Sequence, residues 1–251
     1  MARPVRIGVL VPSTNQVVEP DFASLVPEGV TFHTERLWNG DTTPEGGGDG
    51  TYLLNMNDDL DRGARYLASA NLDIIAYCCT SGTYHAGTLE YDRKLAQQIH
   101  KVSGLPAVTA VRASLEALKH VGAHRISIAG PYGNFLLRER LTPLLESQGF
   151  EVVSAEGETQ MRQRTQDAAI GDQEPGYIAD FVCQVAHPDA DTVFLPGTAW
   201  RALEVVAELE RRLERTVITV NQATIWVTLR RLEVYKPVKG YGRLLEGVGG
   251  D

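Results

Sequence analysis

Three stretches in the first half of this chain return, in the same order, in the second half. RIGVLVPSTN (6–15) resembles RISIAGPYGN (125–134), aligning Pro12 with Pro131 and Asn15 with Asn134. LDIIAYCCT (72–80) resembles ADTVFLPGT (190–198): Asp73 precedes Cys79 by the same interval as Asp191 precedes Gly197, and Thr80 meets Thr198. AVTAVRASL (107–115) resembles VITVNQATI (217–225). One match means little, since buried strands look alike; three in the same order mark a repeated unit. Within each copy, short β-branched runs end in Gly, Pro, Ser or Asn and lead into longer helical stretches. Strands are expected at 6–11, 31–36, 73–78, 107–110, 125–129, 151–155, 192–195 and 217–220. Helices are expected at 57–70, 88–102, 111–121, 134–148, 175–187, 199–214 and 222–231. This alternation implies βαβ units with parallel sheets. The expected fold is α/β: two pseudo-symmetric, doubly wound lobes, each a parallel four-stranded sheet flanked by helices, with the active site in the cleft between them. The lobes are placed at 1–112 and 113–225. Residues 226–251 are read as a helix end and a tail packing back on the first lobe.

Ligands of open parallel sheets sit beyond the carboxyl ends of the strands. If two such lobes face each other, the strand ends at 12–15, 79–82, 131–134 and 197–199 converge. Cys79 stands at one of these ends, followed by Thr80, Ser81 and Gly82. Backbone amides beside hydroxyls make a nest for anions, which lowers a thiol pKa and also holds a carboxylate. Cys78 should point the other way and pack as a small core residue, as should Cys183 in its helix. Asn15 and Tyr132 offer amide and phenol donors. Their plainer roles are an N-cap for a following helix and an aromatic lid. The glycine-rich NGDTTPEGGGDG (39–50) is either a surface connection or a lid.

The net charge of −8 argues against nucleic-acid partners, which need a basic patch. No apolar run approaches the roughly 20 residues of a membrane span, and the N-terminal apolar stretch is too short for a secretory signal. Three cysteines make no disulfide framework, so a cytoplasmic protein with reduced thiols is expected. There is no GxGxxG, no Walker loop, no GxSxG and no HExxH or Cys–His metal spacing, so neither metal nor cofactor is expected. The partner is expected to be a small carboxylic acid, and a homo-oligomer stays open.

Together, VLVPSTNQVVEPDF, AYCCTSGTYHAG, GPYGN, DAAIGDQEPGYI, FLPGTAWRA and VITVNQATIW resemble the aspartate/glutamate racemase superfamily, nearest its branch of maleate cis-trans isomerases and arylmalonate decarboxylases. The resemblance spans nearly the whole chain. It implies a cofactor-independent enzyme in which racemases place one cysteine from each lobe on opposite faces of a carbon acid. Here the second position is Gly197, which disfavours a two-cysteine racemase. By resemblance, Cys79 is the nucleophile of a maleate-isomerase-like cis–trans isomerisation through thiol addition and an enediolate. Asn15, Thr80, Ser81, Tyr132 and Thr198 would bind the substrate carboxylates. A further carboxylate-binding asparagine of the family falls near Asp167. Arylmalonate decarboxylases carry the reverse pattern, glycine on the first lobe and cysteine on the second. The alternative is therefore decarboxylation of a substituted malonate with Cys79 as proton donor. A non-catalytic carboxylate-binding protein is a third reading. The repeat also predicts that a cysteine at position 197 would introduce racemase chemistry.

Overall fold

The computed structural model describes residues 3–38, 55–158 and 168–247. The 39–50 segment and Asp167 lie outside the described residues. The first sheet contains β1 (Val5–Pro12), β2 (Val30–Leu37), β3 (Ile74–Tyr77) and β4 (Ala107–Thr109), in the order β2-β1-β3-β4. The second contains β5 (Arg125–Gly130), β6 (Glu151–Gly157), β7 (Thr192–Leu195) and β8 (Thr216–Thr219), in the order β6-β5-β7-β8. Every pairing is parallel. The second sheet thus repeats the first strand for strand. Strands β3 and β7 are buried along their whole length, as parallel strands covered on both faces must be. The longer helices are α1 (Val18–Leu25), α2 (Leu60–Ala68), α3 (Leu89–Ser103), α4 (Ala110–His120), α5 (Pro175–Val185), α6 (Val206–Leu213) and α7 (Val220–Arg231).

The two lobes are pinned by the same devices. The Arg6 N–H donates to the Asp73 carboxylate at 2.9 Å, and the Asp73 N–H donates back to the Arg6 carbonyl. In the second lobe the Arg125 N–H donates to Asp191 at 2.7 Å, and Asp191 N–H returns to the Arg125 carbonyl. Thr109 and Thr219 cap the helices that follow the fourth strands, their hydroxyl oxygens accepting from the N–H of Arg112 and Gln222. Such a cap contributes about 1 kcal/mol. Those two helices, α4 and α7, pack on each other, and each touches strands of both sheets. One apolar core runs through them, with Ile7 and Val9 from one sheet and Ile126 and Ile128 from the other. The outer faces bury separate clusters, around Leu10, Tyr77 and Leu95 in the first lobe and Val193, Leu195 and Leu209 in the second.

Several local expectations change. The helix expected from 199 begins as a regular helix only at Val206. The preceding turns are held by the buried Trp200, whose indole N–H donates to Gln173 Oε1 at 2.7 Å. The helix expected across 134–148 opens as a π-helix over Phe135–Leu141. Thr142 explains this: its N–H and its hydroxyl both donate to the Leu137 carbonyl, five residues back. A helix does follow Asn15: α1 tolerates Pro20 because it sits in the first turn, where no N–H is needed. The tail expected against the first lobe bonds, in its described part, to the second. Gln222 Nε2 donates to the Tyr241 carbonyl, and the Arg243 N–H to Glu210. Helix α4 runs across residue 112 and α7 across residue 225.

Candidate active site

The carboxyl ends of β1, β3, β5 and β7 meet as the repeat requires. Between them lies a cleft with about 260 Å³ of empty space, lined by Asn15, Cys79, Ser81, Tyr132 and Thr198, with Pro12, Thr14 and Ala199 completing its wall. Five of the residues expected at a site are therefore brought together from four segments.

Cys79 is the thiol of this cleft and is 2 % exposed. Its sulfur accepts a hydrogen bond from the Gly82 N–H at 3.5 Å, which favours the thiolate. Its neighbour Cys78 belongs to the inter-lobe core, because one step along a strand turns a side chain to the opposite face. Burial pushes the Cys78 thiol far above its usual range, so it stays protonated.

Asn15 serves both as a turn residue and as a cleft residue. Its Oδ1 accepts from the N–H groups of Val17 and Val18, at 2.9 and 3.0 Å, in the turn that leads into α1, whose N-cap is Val17. This fixes the side chain with its Nδ2 towards the second lobe, 3.4 Å from Thr198 Oγ1. Thr198 is fixed in turn, because its carbonyl accepts from Asn221 Nδ2 at 2.9 Å. The same amide nitrogen donates to Asp21 of α1 at 2.7 Å. Asp21 is nearly fully buried. Desolvation pushes its carboxyl up to about 7, against the pull of the Asn221 hydrogen bond, with Glu204 adding a smaller upward push.

Thr80 is placed differently from the expectation. It is fully buried behind the cleft, and its hydroxyl donates to the Pro196 carbonyl at 2.9 Å, with Tyr132 Oη 3.3 Å away. It ties one lobe to the other and positions Tyr132. The packing around position 197 works against the expectation for a cysteine there. A Cβ on Gly197 would lie 2.7 Å from Pro131 Cγ and 2.9 Å from its Cδ. A proline ring cannot swing aside as the end of a flexible chain does. Gly197 is thus required by the packing of its own lobe.

Three residues of the site escaped sequence reading. Thr14 was visible in PSTN but stood beside the more obvious Asn15. Tyr77 stands two residues before Cys79, the spacing that puts side chains on one strand face. Asp21 carried no local signal, since its partner is 200 positions away. Among the described residues there is no group of His, Cys, Asp or Glu suited to a metal ion, and no helix long and apolar enough to cross a membrane.

Fold and cleft define a class: a duplicated parallel α/β protein with one thiol set among amide and hydroxyl donors at the lobe junction. The family profile for arylmalonate decarboxylase (Amdase) matches residues 7–245, and the chain belongs to this family. It is 27 % identical to the maleate isomerase of Pseudomonas putida (strain KT2440), covering 98 % of this chain and 99 % of that one. It is 28 % identical to the arylmalonate decarboxylase of Bordetella bronchiseptica, covering 96 % of each. In structure it resembles a cysteine-to-serine mutant of Nocardia farcinica maleate cis-trans isomerase with a covalently bound succinylcysteine intermediate. The TM-score there is 0.82 at 24 % identity, over 97 % of this chain and 98 % of that one. The chain is an enzyme of this isomerase and carboxy-lyase group.

Proposed function

We propose that the protein isomerises a small unsaturated cis-dicarboxylate, with Cys79 as nucleophile. The observation that carries this reading is the position of the thiol. It lies on the first lobe, at the floor of a small cleft, facing donors from both lobes. In the proposed reaction the thiolate adds to one alkene carbon. The π pair moves onto the neighbouring carboxylate, giving an enediolate. The former double bond is now single and rotates. Collapse of the enediolate expels the thiolate and leaves the trans diacid, with no net proton transfer. Catalysis then depends on stabilising the enediolate oxygens, and fixed donors do so without reorganising. Asn15 Nδ2 is held in place by the two hydrogen bonds to its Oδ1, Tyr132 by Thr80, and Ser81 lines the same cleft as Cys79. The succinylcysteine of the Nocardia protein is the type of adduct that this addition would form.

A second reading is favoured by Gly197. A cleft with a single thiol suits a decarboxylase, in which one carboxylate leaves as CO₂ and Cys79 protonates the remaining enediolate from the first-lobe face. One experiment separates the readings: maleate and phenylmalonate offered to the wild type and to Cys79→Ala. Fumarate formed by the wild type and not by the variant is the expected result. Fumarate formation that survives in Cys79→Ala would overturn the nucleophile assignment. Carbon dioxide from phenylmalonate alone would establish the second reading. Saturable binding with turnover of neither acid would point to a carboxylate-binding protein.

A further inference from the structure

Tyr77 is the last residue of β3, two positions before Cys79, and both side chains enter the same buried cluster. The phenol is fully buried. It donates to Asn57 Oδ1 at 2.7 Å, and Asn57 Nδ2 donates to Tyr91 Oη at 2.9 Å. Tyr77 and Cys79 share one strand face and one buried cluster, and the sulfur acts on the phenol by charge and by hydrogen bonding. Burial, reinforced by that sulfur, pushes Tyr77 well above the ordinary phenol range, so it remains a neutral donor. A buried tyrosine needs one hydrogen-bond partner for its hydroxyl. Tyr77 has two acceptors, an amide oxygen and a sulfur, and one proton to share between them.

We infer that Tyr77 is a positioning residue that stabilises the Cys79 thiolate, its O–H resting on Asn57 Oδ1 when Cys79 is a thiol and turning to Sγ when Cys79 is charged. The inference rests on the reading that Cys79 is the reacting thiol. It holds for either proposed reaction. Addition consumes and then regenerates a thiolate; proton donation to an enediolate leaves one behind. With glycine opposite, no second thiol or thiolate shares that charge. The sulfur receives the Gly82 N–H from its own lobe, and the Tyr77 O–H is the further donor that the inference assigns to it. Hydrogen bonds to a charged acceptor are roughly twice as strong as those to a neutral one. The phenol therefore turns to the sulfur when the charge appears there, and the amide oxygen of Asn57 holds it otherwise.

The test is the rate of alkylation of Cys79 by iodoacetamide as a function of pH, located by mass spectrometry, with Cys79→Ala as the background. It needs no substrate, so it can fail while the proposed reaction stands, and the converse. Tyr77→Phe keeps the ring and loses the donor. It should move the midpoint of the profile upward and slow alkylation below the midpoint about tenfold, the factor that corresponds to one pH unit. Asn57→Leu removes the competing acceptor and leaves the phenol to the sulfur. Its midpoint should fall or stay in place. A merely structural Tyr77–Asn57 pair would shift both variants in the same direction. A Tyr77→Phe profile that superimposes on the wild type, or a raised midpoint in both variants, overturns the inference. If Tyr77→Phe does not fold, a raised midpoint in Asn57→Leu alone overturns it, and a lowered one supports it.

Discussion

The two lobes share their framework and differ at the points where they meet the cleft. Asp73 and Asp191 lock the same strands, and Thr109 and Thr219 cap the same helices. At the cleft, Cys79 faces Gly197 across the repeat. Asn15 Oδ1 accepts two backbone N–H groups in the turn before α1, whereas its counterpart Asn134 has a buried Oδ1 with no hydrogen bond among the described residues. Counted without gaps from the same repeat, Asp21 falls opposite Arg140, and Asn221 opposite Val111. The Asp21–Asn221 link therefore has no mirror image. One lobe carries the thiol and Asn15, and the other supplies Tyr132 and Thr198. Duplication set up two equivalent positions, and the Pro131 ring crowds one of them.

The sharpest way to break the comparison is at the thiol. Cys79→Ser should lower turnover by about a thousandfold or more while leaving the fold intact, since a hydroxyl is a far weaker nucleophile than a thiolate. Product formation followed beside circular dichroism checks this. Equal activity in the variant would mean that the lobes do not differ in the way described.

Next in size is the unmirrored link. The folded-state pKa of Asp21 is raised from 3.8 to about 7, so folding favours its protonated form. That contribution is complete below the unfolded value and is lost as pH rises through about 7. Asp21→Asn, which cannot ionise, should gain on the wild type between pH 4 and pH 8, by up to about 4 kcal/mol before any relaxation. Thermal or urea unfolding of both proteins across that pH range measures it. A stability difference independent of pH would remove the titration of Asp21 from the comparison.

Gly197→Ala tests the wall. The added methyl against Pro131 should cost about 2 kcal/mol by overpacking. Pro131→Ala in the same chain should recover part of that cost, as a double-mutant cycle would record. Additive effects would mean that the glycine answers to something other than the proline ring.

The smallest effect sharpens the contrast between the two asparagines. Asn15→Ala should lose about 1 kcal/mol from the two turn hydrogen bonds to its Oδ1, and with them the fixed amide donor of the cleft. Asn134→Ala should change stability by no more than about 0.5 kcal/mol, because its oxygen makes no bond to lose. Equal losses at the two positions would restore a symmetry that the hydrogen bonds do not have.

Much of this was readable in the chain. The order of segments in the repeat anticipated two sheets of matching topology, and strand alternation separated Cys78 from Cys79. Proline and glycine punctuation located the strand ends that form the cleft. The misses have a common cause. Thr80 reads as a site residue until the Pro196 carbonyl is brought to its hydroxyl. Trp200 reads as helical until Gln173 holds its indole.

By itself the sequence determined the duplicated α/β architecture and the lobe that bears the thiol, because strand periodicity, turn residues and a repeat are local properties. Only the tertiary structure decided why position 197 is glycine, which hydroxyl stands beside the Cys79 sulfur, and which carboxyl is buried between the lobes. Each of those depends on atoms brought within a few ångströms from distant segments, where close packing and the loss of water set the energy.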